Sequence, residues 1–263
     1  NILVCIKQVP DTTIIKIDPE TNTLMREGVP AIVSPFDAYA LEAAARIKDK
    51  DKDNKIVVLS MGPEQALAAL KECLSVGGDK AYLVSDRACG GSDTLATSYA
   101  LACALRNLQT DLLICGRQAI DGDTAQVGPQ IAEKLHLPQV TYVTDIKKDG
   151  NSLIVKRQLE DGYMELKVNT PCLLTCIKEL NEPRYMSVGG VFEAYGKPMT
   201  TYDYEALKDD PLIDATTIGL KGSPTNIFKS FTPPQKGAGK MLEGAGKETC
   251  EELASILAAK HII

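Results

Sequence analysis

The sequence predicts an α/β fold in which helices flank a mostly parallel sheet, with a small antiparallel extension and an extended C-terminal arm. Over the first two-thirds of the chain, short apolar runs alternate with segments of helical periodicity, which is the pattern of repeated strand–helix units. The first run, residues 2–6, is apolar throughout, as expected for a strand buried on both faces. After Pro138 the pattern changes to short strands separated by Asp-Gly dipeptides, which favour tight hairpin turns.

The expected elements follow in order. After the strand at residues 2–6, Pro35 begins a helix that continues to about residue 50, because proline is favoured in the first helical turn. Further strands are expected at residues 56–61, 81–85 and 112–115, each followed by a helix, and these helices end near residues 74, 108 and 135. The extension comprises strands at 140–146, 152–159, 163–168 and 172–177, of which the last is placed to rejoin the main sheet. Residues 12–28 resemble a small inserted hairpin, and a final helix covers about 248–259.

Regular periodicity fades from about residue 181, where glycine and proline become frequent. The stretch keeps apolar side chains such as Leu212, Ile213 and Ile218, which are not typical of a disordered tail. We therefore expect an α/β domain at residues 1–190 and an arm at residues 191–263 that packs on a partner subunit. Packing on its own domain and a free tail are the alternatives.

The composition argues against several classes of function. A net charge of −6 and few aromatic residues provide neither the positive field nor the stacking platforms that nucleic-acid binding uses. Two histidines are too few for a multi-histidine metal site or a histidine-based triad, so we expect no metal. Eight cysteines form no C-x-x-C pair and mostly lie in apolar runs. They are interpreted as buried small hydrophobes in a reducing compartment.

No apolar run approaches the ~18 residues that a membrane-spanning helix needs. The chain begins directly with an apolar strand, without the basic flank and cleavage site of a signal peptide. These features predict a cytoplasmic protein.

Two glycine-containing loops are the candidates for ligand binding. In a parallel sheet, ligands bind beyond the carboxyl ends of the strands, and small polar residues concentrate there in this chain, at residues 90–94 and 116–128. The alternative is that both loops are ordinary helix entries capped by Ser, Asp or Thr. Neither a dinucleotide fingerprint nor a phosphate-binding P-loop is present. Backbone donors without acid–base pairs suit the holding of a cofactor, and no catalytic side chain is expected.

The sequence resembles a known protein family over essentially its whole length. Five segments carry the resemblance: Ile-Leu-Val-Cys-Ile-Lys-Gln-Val-Pro-Asp at residues 2–11, Ser-Pro-Phe-Asp at 34–37, Met-Gly-Pro at 61–63, the loop 116–129, and a block at 155–185 that ends in Asn-Glu-Pro-Arg-Tyr. They resemble the small (beta) subunit of electron-transfer flavoproteins. The resemblance implies an adenine-nucleotide-binding, Rossmann-like domain and a heterodimer with a larger alpha subunit.

Within that family the chain is similar to the electron-bifurcating type, on residues 90–98, 121–124, 222–225 and 229–233. This similarity implies that the beta subunit holds an FAD, which takes a hydride from NADH. One electron then passes to ferredoxin or flavodoxin, and the other passes through the alpha-subunit FAD to an acyl-CoA dehydrogenase. The alternative is a non-bifurcating beta subunit that holds AMP as a structural ligand.

The resemblance also implies three sets of site residues. Cofactor binding is expected of Cys5, Lys7, Ser34, Phe36, Asp37, Met61, Gly62, Thr94, Thr97, Gly116, Gln118, Ile120, Asp121, Gly122, Asp123, Thr124, Ala125, Gln126, Val127 and Gly128. Binding of the nicotinamide nucleotide is expected of Gly90, Gly91, Ser92 and Asp93, and docking of the dehydrogenase is expected of Asn181, Glu182, Pro183, Arg184, Tyr185 and Val188.

Overall fold

The structure, a computed structural model, describes residues 1–11, 30–214, 216–225, 227–229 and 237–263. They fall into two compact units: the first contains the described residues up to 228, and the second contains residues 229 and 237–263. Each unit is described by itself. The regular element of the second unit is one helix, Lys247–Ala259. The hairpin expected at residues 12–28 lies outside the described residues.

The first unit alternates strands and helices along its length. Its first half contains β1 Ile2–Cys5, β2 Gln8–Pro10, β3 Ala31–Val33, α1 Pro35–Lys50, β4 Ile56–Met61, α2 Leu67–Val76, β5 Lys80–Val84, α3 Thr94–Arg106 and β6 Leu112–Gly116. Its second half contains α4 Val127–Lys134, β7 Gln139–Asp149, β8 Ser152–Gln158, β9 Tyr163–Asn169, β10 Cys172–Cys176, α5 Val188–Ala194, β11 Met199–Tyr202 and α6 Tyr204–Leu207. Among the described residues, no helix has the length and apolar character that crossing a membrane requires.

Nine strands form one sheet in the order β11-β5-β4-β1-β6-β10-β7-β8-β9. The pairs from β11 to β7 are parallel, and β7, β8 and β9 pair antiparallel. Strand β10 rejoins the main sheet between β6 and β7. The predicted α/β fold, with its mostly parallel sheet and antiparallel extension, is therefore confirmed.

The central strand β1 shows why the sheet carries helices on both faces. Ile2 and Val4 belong to the apolar core under α1 and α2, whereas Leu3 and Cys5 belong to the core under α3 and α4. All four side chains are buried, because successive residues of a strand point to opposite faces. Full burial of each large apolar side chain stabilises the fold by about 1.5–3 kcal/mol. This explains why the strand lacks polar alternation.

The connections place a crevice at the carboxyl ends of β1 and β6. From β1 the chain passes through α1 to β4 on one side of it, and from β5 it returns through α3 to β6 on the other side. Cys5 and Cys115 are register partners at these strand ends. Because the two crossover helices lie on opposite faces, the loops after β1 and β6 diverge and leave room for a ligand.

The chain beyond residue 181 is more regular than its periodicity indicated. Helix α5 packs against α2, and β11 extends the sheet beside β5. Leu207, Ile213 and Ile218 are buried in the core under α3. Sequence periodicity missed these elements because they are four to seven residues long, which is too short to show a helical or alternating pattern.

Gly190 permits the close packing of α5 on α2. A Cβ atom added there would overlap the carbonyl oxygen of Ser75, whereas a Cβ atom at Gly189 would meet nothing. We therefore expect Gly190→Ala to lower the free energy of unfolding by about 1–3 kcal/mol, the usual range for overpacking. Gly189→Ala is the matched control and should stabilise by up to about 1 kcal/mol, since alanine favours helices. Denaturant titration of both variants measures the difference, and equal midpoints would contradict the predicted contact.

Candidate functional site

An open cleft of about 990 Å³ lies across the carboxyl ends of β5, β4, β1 and β6. This volume is near the upper end of ordinary small-molecule sites, which span about 300–1,000 Å³. The cleft brings most of the predicted residues together: Cys5, Lys7, Asp37, Met61, Gly62, Gly90, Gly91, Ser92, Asp93, Thr94, Thr97, Gly116, Gln118, Gly122, Thr124, Ala125, Gln126, Val127 and Gly128.

Five predicted cofactor residues are not part of the cleft lining: Ser34, Phe36, Ile120, Asp121 and Asp123. Ser34 is fully buried at the start of α1, and its Oγ has no hydrogen-bond partner among the described residues. Ile120 is 41% exposed. The predicted docking residues 181–185 lie along α1, where Asn181 Nδ2 donates to the carbonyl oxygen of Tyr39 at 3.0 Å. The docking set is therefore separate from the cleft lining.

Asp37 holds the two strand ends at the neck of the crevice. Its carboxylate accepts the backbone N–H of Lys7 at 2.8 Å and that of Gly116 at 3.0 Å. Burial raises the pKa of Asp37 to about 7, against the lowering effect of these two hydrogen bonds and of the Lys7 charge. A carboxyl group that changes charge near neutral pH thus bridges α1, β1 and β6.

Lys7 links β1 to the loop at residues 116–126. Its Nζ donates to Asp121 Oδ1 at 2.7 Å and to Oδ2 at 2.9 Å. The other carboxylate of this loop, that of Asp123, accepts Gln118 Nε2 at 2.6 Å. Both acidic side chains therefore have partners within the site, which reduces the repulsion that an anionic ligand would meet.

The approach to α4 has the backbone features of an anion site. Asp123 and Ala125 have φ angles of 51° and 54°. In this left-handed conformation a residue other than glycine is strained by about 1–3 kcal/mol. Gln126 precedes the helix without capping it, and its Oε1 instead accepts the Thr94 hydroxyl at 2.7 Å. The first N–H groups of α4 thus have no side-chain cap, and such groups bind phosphates.

Arg87 and Arg117 also line the cleft. Neither arginine is among the predicted site residues. The Arg117 guanidinium lies 5.0 Å from the ring centre of Phe36 and 5.6 Å from that of Tyr142, within the range of cation–π attraction. Among the described residues neither arginine pairs with a carboxylate. Arg117 falls within the predicted 116–128 loop, but its setting depends on α1 and β7, which are distant in sequence.

The cysteines follow the expectation with one exception. Seven are buried, and Cys250, on the C-terminal helix, is exposed. The interpretation of all eight as buried hydrophobes is therefore wrong for Cys250, whose helix has no buried residue. No group of three or more His, Cys, Asp or Glu side chains among the described residues is placed to hold a metal ion.

Asp37→Asn tests the state of the buried carboxyl group. Because its pKa is raised to about 7 in the fold, the folded chain binds a proton that the unfolded chain has released. The free energy of unfolding of the wild type should therefore fall as pH rises from about 5 to about 7, relative to the variant, by up to about 1.4 kcal/mol per pH unit. Above about pH 8 the difference should be constant.

Denaturant titration across this pH range measures the difference, with the exposed Asp53→Asn as control. A wild type and Asp37→Asn variant with parallel pH profiles would show that Asp37 keeps an ordinary pKa. The control should parallel the wild type throughout, because an exposed carboxylate contributes little to stability.

Comparison with known proteins identifies the family. The electron transfer flavoprotein domain matches residues 21–206. The chain is 54% identical to the caffeyl-CoA reductase-Etf complex subunit CarD of Acetobacterium woodii and 54% identical to the acryloyl-CoA reductase electron transfer subunit gamma of Anaerotignum propionicum. It is 53% identical to the electron transfer flavoprotein subunit beta of Thermoanaerobacterium thermosaccharolyticum. Each alignment covers 100% of both chains.

The family match covers more than half of the chain, and these relatives span all of it. The third relative is named a beta subunit, which agrees with the resemblance drawn from the five sequence segments. The predicted family is therefore confirmed: the chain belongs to the electron transfer flavoprotein family and is one of its beta subunits.

Proposed function

We propose that the cleft holds an FAD and that the chain is the beta subunit of an electron-bifurcating electron transfer flavoprotein. The continuity of the cleft carries this proposal. One cavity is lined both by the loop at residues 116–128 and by residues 85–94, which follow β5. A mononucleotide such as AMP needs only the part beside the first loop. A dinucleotide extends to both.

The residues of the first part suit the adenosine and diphosphate of FAD. The uncapped N–H groups of α4 and the Thr124 hydroxyl offer donors to phosphate oxygens. Cys5, Asp37 and Met61 line the same cleft, and we assign them to the adenosine. The positive charge of Arg117 adds to the attraction for the diphosphate.

The residues of the second part suit the flavin ring and its reductant. Thr94 and Thr97 lie on the first turn of α3 and line the cleft, so we assign them to the ring. Gly90, Gly91, Ser92 and Asp93 form the small-residue loop before α3, and we assign them to NADH. When bound, FAD supplies the chemistry, since it accepts electrons in pairs from NADH and releases them singly.

The names of two relatives indicate the class of partner. One is a subunit of a caffeyl-CoA reductase-Etf complex, and the other is the electron transfer subunit of an acryloyl-CoA reductase. We therefore propose that this chain, with an alpha subunit, delivers electrons to an acyl-CoA dehydrogenase or reductase and to ferredoxin or flavodoxin. We also propose that the arm at residues 191–263 packs on the alpha subunit; its described residues up to 228 belong to the first unit.

The docking segment, residues 181–188, presents exposed apolar side chains on an anchored backbone. Tyr185 is 97% exposed and Val188 is 77% exposed. Arg184 anchors the segment, since its Nε donates to Glu42 Oε2 at 2.7 Å and its Nη2 donates to Asp49 Oδ2 at 2.8 Å. Partial burial acts to raise the pKa of Glu42, but hydrogen bonds from Arg184 and Arg46 outweigh it and lower the pKa. An apolar surface on a rigid support is a suitable docking site.

Thr124→Leu tests the position of the FAD in the purified alpha–beta heterodimer. We expect the wild type to contain two FAD molecules and to lose its flavin absorbance when NADH is added without oxygen. The leucine side chain fills part of the cleft and removes a phosphate donor, so the variant should retain only the alpha-subunit FAD. Flavin counting after gentle purification measures both.

Thr124→Ser keeps the hydroxyl and is the matched control, expected to retain two FAD molecules. One FAD and one AMP in the wild type would overturn the bifurcating assignment and favour the AMP-holding subunit. Two firmly bound FAD molecules in Thr124→Leu would show that the diphosphate lies elsewhere.

Glu42→Gln tests the docking segment. Glutamine keeps the size of this buried side chain but removes the charge that Arg184 and Arg46 share, so both ion pairs are lost. The segment should loosen, so we expect the KM for an acyl-CoA dehydrogenase that accepts electrons from the wild type to rise about fivefold, from a loss near the ~1 kcal/mol of a typical hydrogen bond. Reduction by NADH should be unchanged.

Lys52→Gln is the control for this variant. Lys52, just beyond the end of α1, pairs with Asp49 at 3.0 Å, but its side chain is 73% exposed, and such pairs contribute little. An unchanged KM in Glu42→Gln would show that the dehydrogenase does not dock on residues 181–188.

A further inference from the structure

A segment late in the chain holds the loop proposed to bind NADH. The 218–225 segment contacts the small-residue loop 90–93 through backbone groups. The Leu220 N–H donates to the Gly90 carbonyl oxygen at 3.1 Å, and the Gly219 N–H donates to Ser92 Oγ at 3.0 Å. The conformation of the loop is therefore set by residues about half the chain away, in addition to its own glycines.

Ser223 is the central residue of this contact. It is 5% exposed. Its Oγ accepts the Asp93 N–H at 2.8 Å and donates to the Gly219 carbonyl oxygen at 2.7 Å. This hydroxyl thus joins the last residue of the loop to the start of the segment, and a side chain without a hydroxyl cannot replace it.

The same segment also engages the Asp93 carboxylate. The Thr225 N–H donates to its Oδ2 at 3.1 Å, and the Ala96 N–H in the first turn of α3 donates to its Oδ1 at 3.0 Å. Both oxygens of the acid are therefore bonded to backbone donors. The negative charge is held at the base of the helix, which weakens its repulsion of an incoming phosphate.

Gly219 allows the segment to approach so closely. Its φ is +62°, and a Cβ atom there would overlap the carbonyl oxygen of Ala88. Another residue would be strained in this conformation and would push the segment from the loop. The contact is therefore specific to this local sequence, in which Ser223 follows Gly219 at the spacing that its hydrogen bond needs.

The held loop leaves two donors for a ligand. The N–H groups of Gly91 and Ser92 have no hydrogen-bond partner among the described residues, and both residues line the cleft. Successive free N–H groups in a turn form a concave site for anions. The loop is thus prepared for the phosphates of a dinucleotide on the side where FAD is proposed to end.

We infer that Ser223 is a positioning residue for the nicotinamide dinucleotide: it contacts neither cofactor nor substrate, and it holds Asp93 so that the Gly91 and Ser92 N–H groups stay available to the phosphates of NADH. This inference rests on the proposed function, in which NADH reduces the FAD in the cleft. It assigns to residues 218–225 a role within their own subunit.

The test uses the Ser223→Ala variant of the whole heterodimer, reduced anaerobically with NADH in a stopped-flow instrument. We expect the NADH concentration for half-maximal rate to rise about tenfold, with the FAD content and the maximal rate unchanged, because only binding of the dinucleotide is weakened. Ser223→Cys, which is similar in volume and a poor hydrogen-bond partner, should behave likewise. If the alanine variant does not assemble, the half-saturation of the cysteine variant tests the inference instead.

Thr217→Ala is the matched control. The Thr217 hydroxyl accepts the Asp214 N–H at 2.9 Å and donates to the Leu212 carbonyl oxygen at 3.0 Å, so this variant weakens the adjoining chain without touching the loop. Its half-saturation should equal that of the wild type. Wild-type half-saturation in both Ser223 variants, or an equal rise in Thr217→Ala, would overturn the inference and leave the proposed function standing. A wild type that NADH does not reduce would overturn both.

Discussion

The bond of Asp37 to two backbone N–H groups is the interaction on which the geometry of the site depends. The order of the strand connections reverses between β1 and β6, so the loops that follow these parallel strands diverge and leave a crevice. Buried N–H groups without a partner are costly. The Asp37 carboxylate accepts one from Lys7 and one from Gly116, so it closes the neck of the crevice and leaves the space above it open. The position of Lys7, and through it that of the loop carrying Asp121, follows from this bond.

The cleft is built to hold a ligand with the backbone. Two of its acidic side chains are engaged in the fold: Asp86 accepts the N–H groups of Ala88 and Tyr204, and Asp93 accepts those of Ala96 and Thr225. Within the described part of the chain, free N–H groups and two arginines without a carboxylate partner remain at the surface of the cleft. Such a surface suits the proposed holding of a nucleotide, which fits a protein whose reactivity comes from its cofactor.

Helix α1 connects the two proposed functional surfaces. Its first turn carries Asp37 at the cleft, and its next turns carry Glu42, which anchors the docking segment through Arg184. Five residues of helix span about 7.5 Å along the axis. Because both contacts are made by α1, this one helix holds the proposed docking segment close to the proposed cofactor cleft. A short path between the two suits a protein that transfers electrons.

The sequence alone was sufficient for the fold class and for most of the cleft. Buried strands read as apolar runs because both faces of the sheet are covered, and small residues marked the strand ends because only they leave room for a ligand. The α5 and β11 elements, the Arg117 stack on Phe36 and Tyr142, and the hold of Ser223 on Asp93 were decided by tertiary structure. Each of these features depends on contacts between residues distant in the chain, whereas sequence periodicity and spacing reflect only residues that are near one another in the chain. Local patterns thus determined which segments form strands, helices and loops, whereas contacts between distant segments decided which loop conformations the cleft presents to its ligands.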